Sequence, residues 1–179
     1  MRILYINDYG TLTGGAEILV QRLIRSAEEK GHVASFFSSD AAPEDMPVIA
    51  NYQCHGTLGP HRVYLQVGNN DARKKLKKAL KEFQPDVIHL FIYLTQLSPL
   101  VLSLLKDYPT LLTLCFYREI CPKGTLVLPD GQACQESWGK PCLKNKCLPL
   151  QHWLALEWQR RSFNKRFPKN IKIVPYLKK

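Results

Sequence analysis

Met1-Arg2-Ile3-Leu4-Tyr5-Ile6-Asn7-Asp8-Tyr9-Gly10-Thr11-Leu12-Thr13-Gly14-Gly15-Ala16-Glu17 opens the chain, and its reading decides the fold. Ile3 to Ile6 form a short apolar run, which predicts a buried strand over Arg2 to Asn7. A loop follows, closed by Gly14-Gly15. From Ala16 onward, Leu19, Val20, Leu23, Ile24 and Ala27 recur at helical spacing. Strand, glycine loop and helix N-terminus, in that order, is how α/β folds build an anion site. Glycine allows close backbone approach and positive φ, and the unpaired N–H groups of the first helical turn favour negative charge. The stretch matches neither G-x-G-x-x-G nor G-x-x-x-x-G-K-[ST]. Taken alone it fits equally a plain βα turn in which Glu17 complements the helix dipole.

The alternation continues down the chain. Strands are predicted at Val33 to Phe37, Asp86 to Phe91, Thr110 to Phe116 and Ile171 to Val174, with short ones at Pro47 to Ala50 and Arg62 to Val67. Helices are predicted after the cap candidates Asn69, Asn70 and Asp71, then over Thr95 to Lys106 and over Leu150 to Phe167. In the first of these, Ala72, Leu76, Ala79, Leu80 and Phe83 form the apolar stripe and lysines the opposite face. From Tyr117 to Pro149 periodicity vanishes and Gly, Pro and Cys take over. The pattern implies an α/β fold: a Rossmann-like, doubly wound parallel sheet with helices on both faces and a cysteine-rich loop insert, as a single domain over residues 1–179. Ligands of such sheets bind outside the carboxyl ends of the strands. The loop Asp8 to Gly15, the segment after His89 and the segment after Phe116 therefore share one rim.

Composition narrows the partners. At 179 residues and 45% hydrophobic content the chain suits one globular domain with a proper core. It lacks any apolar run of about 18 residues, and its start reads as a strand rather than a signal peptide, so a cytoplasmic location is expected. The net charge of +10 favours an anionic partner. The charge gathers in Arg73, Lys74, Lys75, Lys77, Lys78 and Lys81, and again near the C-terminus in Arg160, Arg161, Lys165, Arg166, Lys169, Lys172, Lys178 and Lys179. Solvated helix faces and contact with an anionic membrane surface both fit. Nucleic acid is not indicated, because no basic motif interleaved with aromatics and no recognition helix is present.

Four of the six cysteines, Cys121, Cys134, Cys142 and Cys147, follow C-x12-C-x7-C-x4-C within the aperiodic insert. Three readings stand open: a structural zinc site held by all four thiolates, free or disulfide-paired thiols, and an iron–sulfur cluster.

The ordered set Gly14-Gly15-Ala16-Glu17, then Pro85-Asp86-Val87-Ile88-His89, then Thr113-Leu114-Cys115-Phe116-Tyr117 leading to Cys121-Pro122 resembles the N-terminal domain of family-4-like GT-B glycosyltransferases. The insert, with Gly124-Thr125-Leu126, Asp130-Gly131 and Cys134, resembles a subset of that family. The resemblance implies transfer of a sugar, with retention, from a nucleotide-sugar donor to a carbohydrate or lipid-linked acceptor. It implies that this domain holds most of the acceptor site, with its glycine loop beside the donor diphosphate. It also implies a C-terminal nucleotide-sugar domain, for which 179 residues leave no room at about 150 residues per domain; alone, this half is expected to be inactive. Two departures stand out. Family members carry His-Asp-Tyr where this chain has Cys115-Phe116-Tyr117, and many carry a second histidine where Phe91 stands. Cysteine cannot copy imidazole's two-nitrogen hydrogen bonding. A fold-retaining binding domain without turnover is therefore the alternative reading.

The candidate site residues follow. His89 and Cys115 occupy the catalytic positions that the resemblance implies; a core histidine bonded to backbone also fits His89. Gly14, Gly15, Glu17, Tyr117 and Arg118 are candidates for donor diphosphate or acceptor binding. Arg118 could clamp a phosphate or form a surface ion pair. Asn7 and Asp8 fit an Asx turn or ligand contact. Trp153 and Trp158 fit core positions or an interface with the further domain.

Overall fold

The structure is a computed structural model and describes residues 1–175. Lys178 and Lys179 of the basic C-terminal cluster lie outside the described residues. Six strands, β1 (Arg2–Tyr9), β2 (Val33–Ser39), β3 (Tyr52–Cys54), β4 (Val87–Leu90), β5 (Thr110–Leu114) and β6 (Ile171–Pro175), form one sheet in the order β3-β2-β1-β4-β5-β6. Every pairing is parallel. The order reverses at β1, which feeds β2 on one side and neighbours β4 on the other. That reversal is the switch point at which doubly wound sheets open a crevice.

The helices are α1 (Gly15–Glu29), α2 (Arg62–Gly68), α3 (Asn70–Phe83), α4 (Lys140–Lys144) and α5 (Leu150–Arg166). The two-residue period of the strands sorts the core into two layers. Leu4 and Ile6 point to one face, where Ile88, Leu90 and Leu112 meet the apolar stripe of α3 and, from α5, Phe163. Tyr5 and Phe36 point to the other face and pack on α1 through Val20 and Leu23. Helices on both faces are expected, and they are found. Asn69 is the cap of α3: its side chain accepts the Ala72 N–H at 2.9 Å. Gln84 ends that helix in the left-handed region, just before Pro85.

Three local expectations are corrected. Arg62–Gly68 is a helix, not a strand; Gln66 is buried there, bonded to Arg118 and Gln159, and packing overrides a weak alternation. The short strand falls at Tyr52–Cys54 rather than at Pro47 to Ala50. Only Pro99–Leu104 of the predicted Thr95 to Lys106 helix is helical, as a 3₁₀ segment. Ser98 takes φ 69° and caps the 3₁₀ segment with its side chain, which breaks helical backbone between Thr95 and Pro99.

A candidate active site at the strand ends

The site is built on the last residues of β1. Asp8 is fully buried, and its carboxylate accepts four hydrogen bonds from the segment after β4: Thr95 N (2.7 Å), Thr95 Oγ1 (2.5 Å), Gln96 N (2.8 Å) and Leu97 N (2.8 Å). Burial raises its pKa and these donors pull it down, the burial effect being the larger. Asn7, also fully buried, ties three elements together. Its Oδ1 accepts the Ile92 N–H at 3.1 Å, and its amide donates to Tyr9 O and to Glu17 Oε1 at 2.9 and 3.1 Å. Both side chains thus serve as struts for the rim. The role of Asp8 is not legible in the sequence, because its partners lie 87 to 89 residues away.

Around these struts the glycine loop and the end of β5 meet. Gly15, Ala16, Glu17, Leu19, Ile92 and Cys115 line one open cavity of about 330 Å³. Gly14 and Gly15 have different surroundings. Gly14 is extended, and a Cβ there would lie 2.5 Å from Glu17 Oε2. Gly15 has nothing within 4 Å of where its Cβ would be, so its backbone faces open space at the first turn of α1. Neither glycine adopts positive φ, contrary to expectation. Glu17 is buried in that first turn and is the only charged side chain lining the cavity. Its carboxylate suits the hydroxyl donors of a sugar; an anion would rest on the first-turn N–H groups.

His89 lies one layer below. Its Nε2 is 2.8 Å from Thr113 Oγ1, and its ring stacks on Phe91 at 4.2 Å and tilts against Tyr5 at 5.7 Å. Burial lowers its pKa to about 4, so it is neutral near pH 7. It is not among the residues lining the cavity. Phe91, at the place of the family's second histidine, is one wall of its packing. The Cys115 thiol is pushed up to about 11 by burial, with Glu17 and Glu119 adding to the effect. It is a protonated, weakly polar wall rather than a nucleophile.

The remaining candidates lie farther along the rim. Tyr117 is 44% exposed, and its carbonyl accepts the Cys121 N–H at 2.7 Å, closing the turn between them. Arg118 forms no surface ion pair; it is half-buried and donates to Gln66 Oε1 at 3.0 Å. Trp153 donates to Gly139 O at 3.1 Å, and Trp158 is 67% exposed. No zinc site is shown in the insert among the described residues. All six cysteines are free, and among the described residues no group of three or more His, Cys, Asp or Glu side chains could hold a metal ion. The four thiols are neighbours: burial and the thiols of Cys142, Cys134 and Cys121 raise the pKa of Cys147. Burial pushes the Cys121 thiol up, but the N–H groups of Leu126, Thr125, Gly124 and Lys123 point at it and prevail, lowering its pKa. Cys142 belongs to α4.

Glu119 carries no signal in the sequence. Burial raises its carboxyl to about 7, with Asp8 adding and Arg118 opposing. Between its ordinary value of 4.5 and about 7 the folded chain keeps a proton that the unfolded chain has released, so this group's contribution to stability falls as pH rises through that window. His89 acts oppositely: its folded pKa lies below the ordinary 6.5, so its contribution is lost as pH falls from there toward about 4. Urea midpoints of the wild type and Glu119→Gln should therefore converge, or the wild type fall behind, as pH is raised from 5 to 7. A difference independent of pH would refute the raised carboxyl.

Comparison with known proteins agrees with this fold. A family model described as Glycosyltransferase Family 4 matches residues 13–114. No curated protein sequence matches the chain. Among solved structures, a sucrose-phosphate synthase from Thermosynechococcus elongatus shares the fold with a TM-score of 0.53 at 16% identity, over 98% of this chain and 48% of that one. The chain thus spans about half the length of that neighbour. Among the described residues no helix is long and apolar enough to cross a membrane. Six parallel strands in doubly wound order, a glycine loop opening α1 at their carboxyl ends and the family match over most of the sheet together lead to one conclusion: this chain belongs to glycosyltransferase family 4.

Proposed function

We propose that the chain is the acceptor-side, N-terminal half of a retaining GT-B glycosyltransferase, completed by a C-terminal domain that grips the nucleotide of a nucleotide-sugar donor. The observation that carries this reading is the cavity in which Gly15 and Glu17 of the opening motif meet Cys115, about a hundred positions later. The chemistry is positional and electrostatic. The bond between the sugar's anomeric carbon and the donor diphosphate breaks, an acceptor hydroxyl oxygen takes the diphosphate's place, and the hydroxyl's proton passes to the leaving diphosphate oxygen. The N–H groups of the Gly14–Gly15 loop and the first turn of α1 meet the leaving diphosphate, while the rim loops hold the acceptor. The exposed lysine face of α3 offers peripheral contact with an anionic membrane surface as part of the same reading.

Release of nucleoside diphosphate from UDP- and GDP-linked hexoses, measured with this chain and with the longest natural polypeptide containing it, tests the proposal. Turnover by the longer protein alone is the expected result. In that protein Gly15→Val should keep the fold, because the new side chain enters open space, yet lower turnover by about tenfold or more, equivalent to about 1.4 kcal/mol. Turnover untouched by Gly15→Val would remove the cavity from the reaction. A second reading, a sugar-binding domain without turnover, is favoured by the cavity's chemistry, since Glu17 is the only charge lining it and Cys115 is a protonated thiol. Sugar binding without diphosphate release by the longer protein would select it.

A further inference from the structure

A second cavity, of about 410 Å³, opens at the same carboxyl-end rim between α2, α5 and the cysteine-rich insert. Arg62, Arg118, Lys123 and His152 converge on it, and no carboxylate lines it. The ion pairs among the described residues are Lys78–Glu82 and those of Glu157 with Arg160 and Arg161, so neither arginine nor the lysine of this cavity is neutralised within 4.0 Å. Arg118 is the best placed of them. Buried Gln66 anchors its Nη2 at 3.0 Å. Burial lowers the Arg118 pKa, Asp8 raises it and the like charge of Arg62 lowers it again; an anion in the cavity offsets that repulsion. Gln66 is held in turn by α5, since Gln159 Nε2 donates to its carbonyl at 2.7 Å.

We propose that this cavity is the subsite for a phosphoryl group on the acceptor. Two arginines and a lysine match a dianion better than a single carboxylate, and arginine forks suit phosphate oxygens. The volume suits a phosphorylated monosaccharide. Cys115, in the cavity beside Glu17, and Arg118 are three residues apart, so their backbones are separated by at most about 10 Å. One sugar unit spans that gap, with its phosphate at Arg118 and a hydroxyl toward Cys115. Assigning the phosphoryl group to the acceptor rests on the proposed function; the anion site itself does not.

Calorimetric titration of the chain, without any donor, tests it with glucose 6-phosphate, glucose, inorganic phosphate and vesicles containing anionic phospholipid. Glucose 6-phosphate should bind at least tenfold more tightly than glucose, with inorganic phosphate competing and affinity falling as salt rises. Arg62→Gln and Lys123→Ala, on exposed and half-buried side chains that leave the fold intact, should each weaken glucose 6-phosphate binding about tenfold. Arg118→Lys keeps the charge but loses the fork and should weaken binding at least as much. Equal affinity for glucose and its phosphate, or binding unchanged in Arg62→Gln and Lys123→Ala, would overturn the proposal. Retention on vesicles with no affinity for either soluble phosphate would also overturn it, assigning the cations to a membrane face instead. Failure of glycosyl transfer with phosphate binding intact would strike the proposed function and leave the anion site standing.

Discussion

Asp8→Ala is expected to destabilise the fold by about 4 kcal/mol. Three backbone N–H groups and one hydroxyl lose their acceptor in a region closed to solvent, and each orphaned donor costs about 1–3 kcal/mol before relaxation. That is a large share of the roughly 5–15 kcal/mol by which a domain is stable. Urea unfolding followed by far-UV circular dichroism measures it. Asp8→Asn, which keeps an acceptor oxygen, should recover about half of the loss. A cost below about 1 kcal/mol for the alanine variant would mean that other contacts close the segment after β4 and that Asp8 is not its strut. The loss matters for function as well. The same segment carries Ile92, held by Asn7 and forming one wall of the cavity, so a loosened segment opens the site.

Asn69→Ala should cost about 3 kcal/mol, the sum of a lost helix cap and two lost bridges. Asn69 is 2% exposed and uses every polar atom of its side chain. Its Oδ1 caps α3 through Ala72 N, and its amide donates to His55 O and Gln96 O, each at 2.8 Å. Loss of a cap costs about 1 kcal/mol, and each carbonyl left without its donor about 1 kcal/mol more. Asn69→Ser separates the two parts: it keeps a capping oxygen but neither bridge, and should recover about 1 kcal/mol. If the serine and alanine variants unfold at the same urea concentration, the cap contributes nothing here.

The two positions show what is legible in advance. Asn69 is visible as a cap candidate, because a cap is a local feature: polar side chain, helix start and apolar stripe lie within a few residues. That it also bridges the His55 and Gln96 segments is not visible, since those carbonyls arrive from 14 residues before and 27 after. Gly14, Gly15, Glu17 and Cys115 stand out in the sequence, and the last three line one cavity. His89 stands out too, yet its ring is spent on Thr113 and Phe91. Glu119, Gln66 and Gln159 carry no signal, because buried polar residues of this kind are recognised only by their partners.

The cysteine insert shows the same limit from the other side. Spacing alone leaves metal, disulfide and free thiol open, and spacing cannot say which way a sulfur points. In the structure N–H groups of the Cys121 turn point at its sulfur and favour the thiolate, while no group of three or more metal-binding side chains forms among the described residues.

The sequence by itself determined the class of fold, the alternation of strands and helices, and the rim on which the glycine loop meets the ends of β4 and β5. These follow from hydrophobic period and from glycine and proline punctuation, which act over a few residues. Tertiary structure alone decided that Arg62–Gly68 is helical, that the segment after β4 wraps Asp8 instead of coiling, and that Arg118 faces a cationic cavity rather than a surface carboxylate. In each case the deciding partner is a backbone donor or a buried side chain more than fifty positions away.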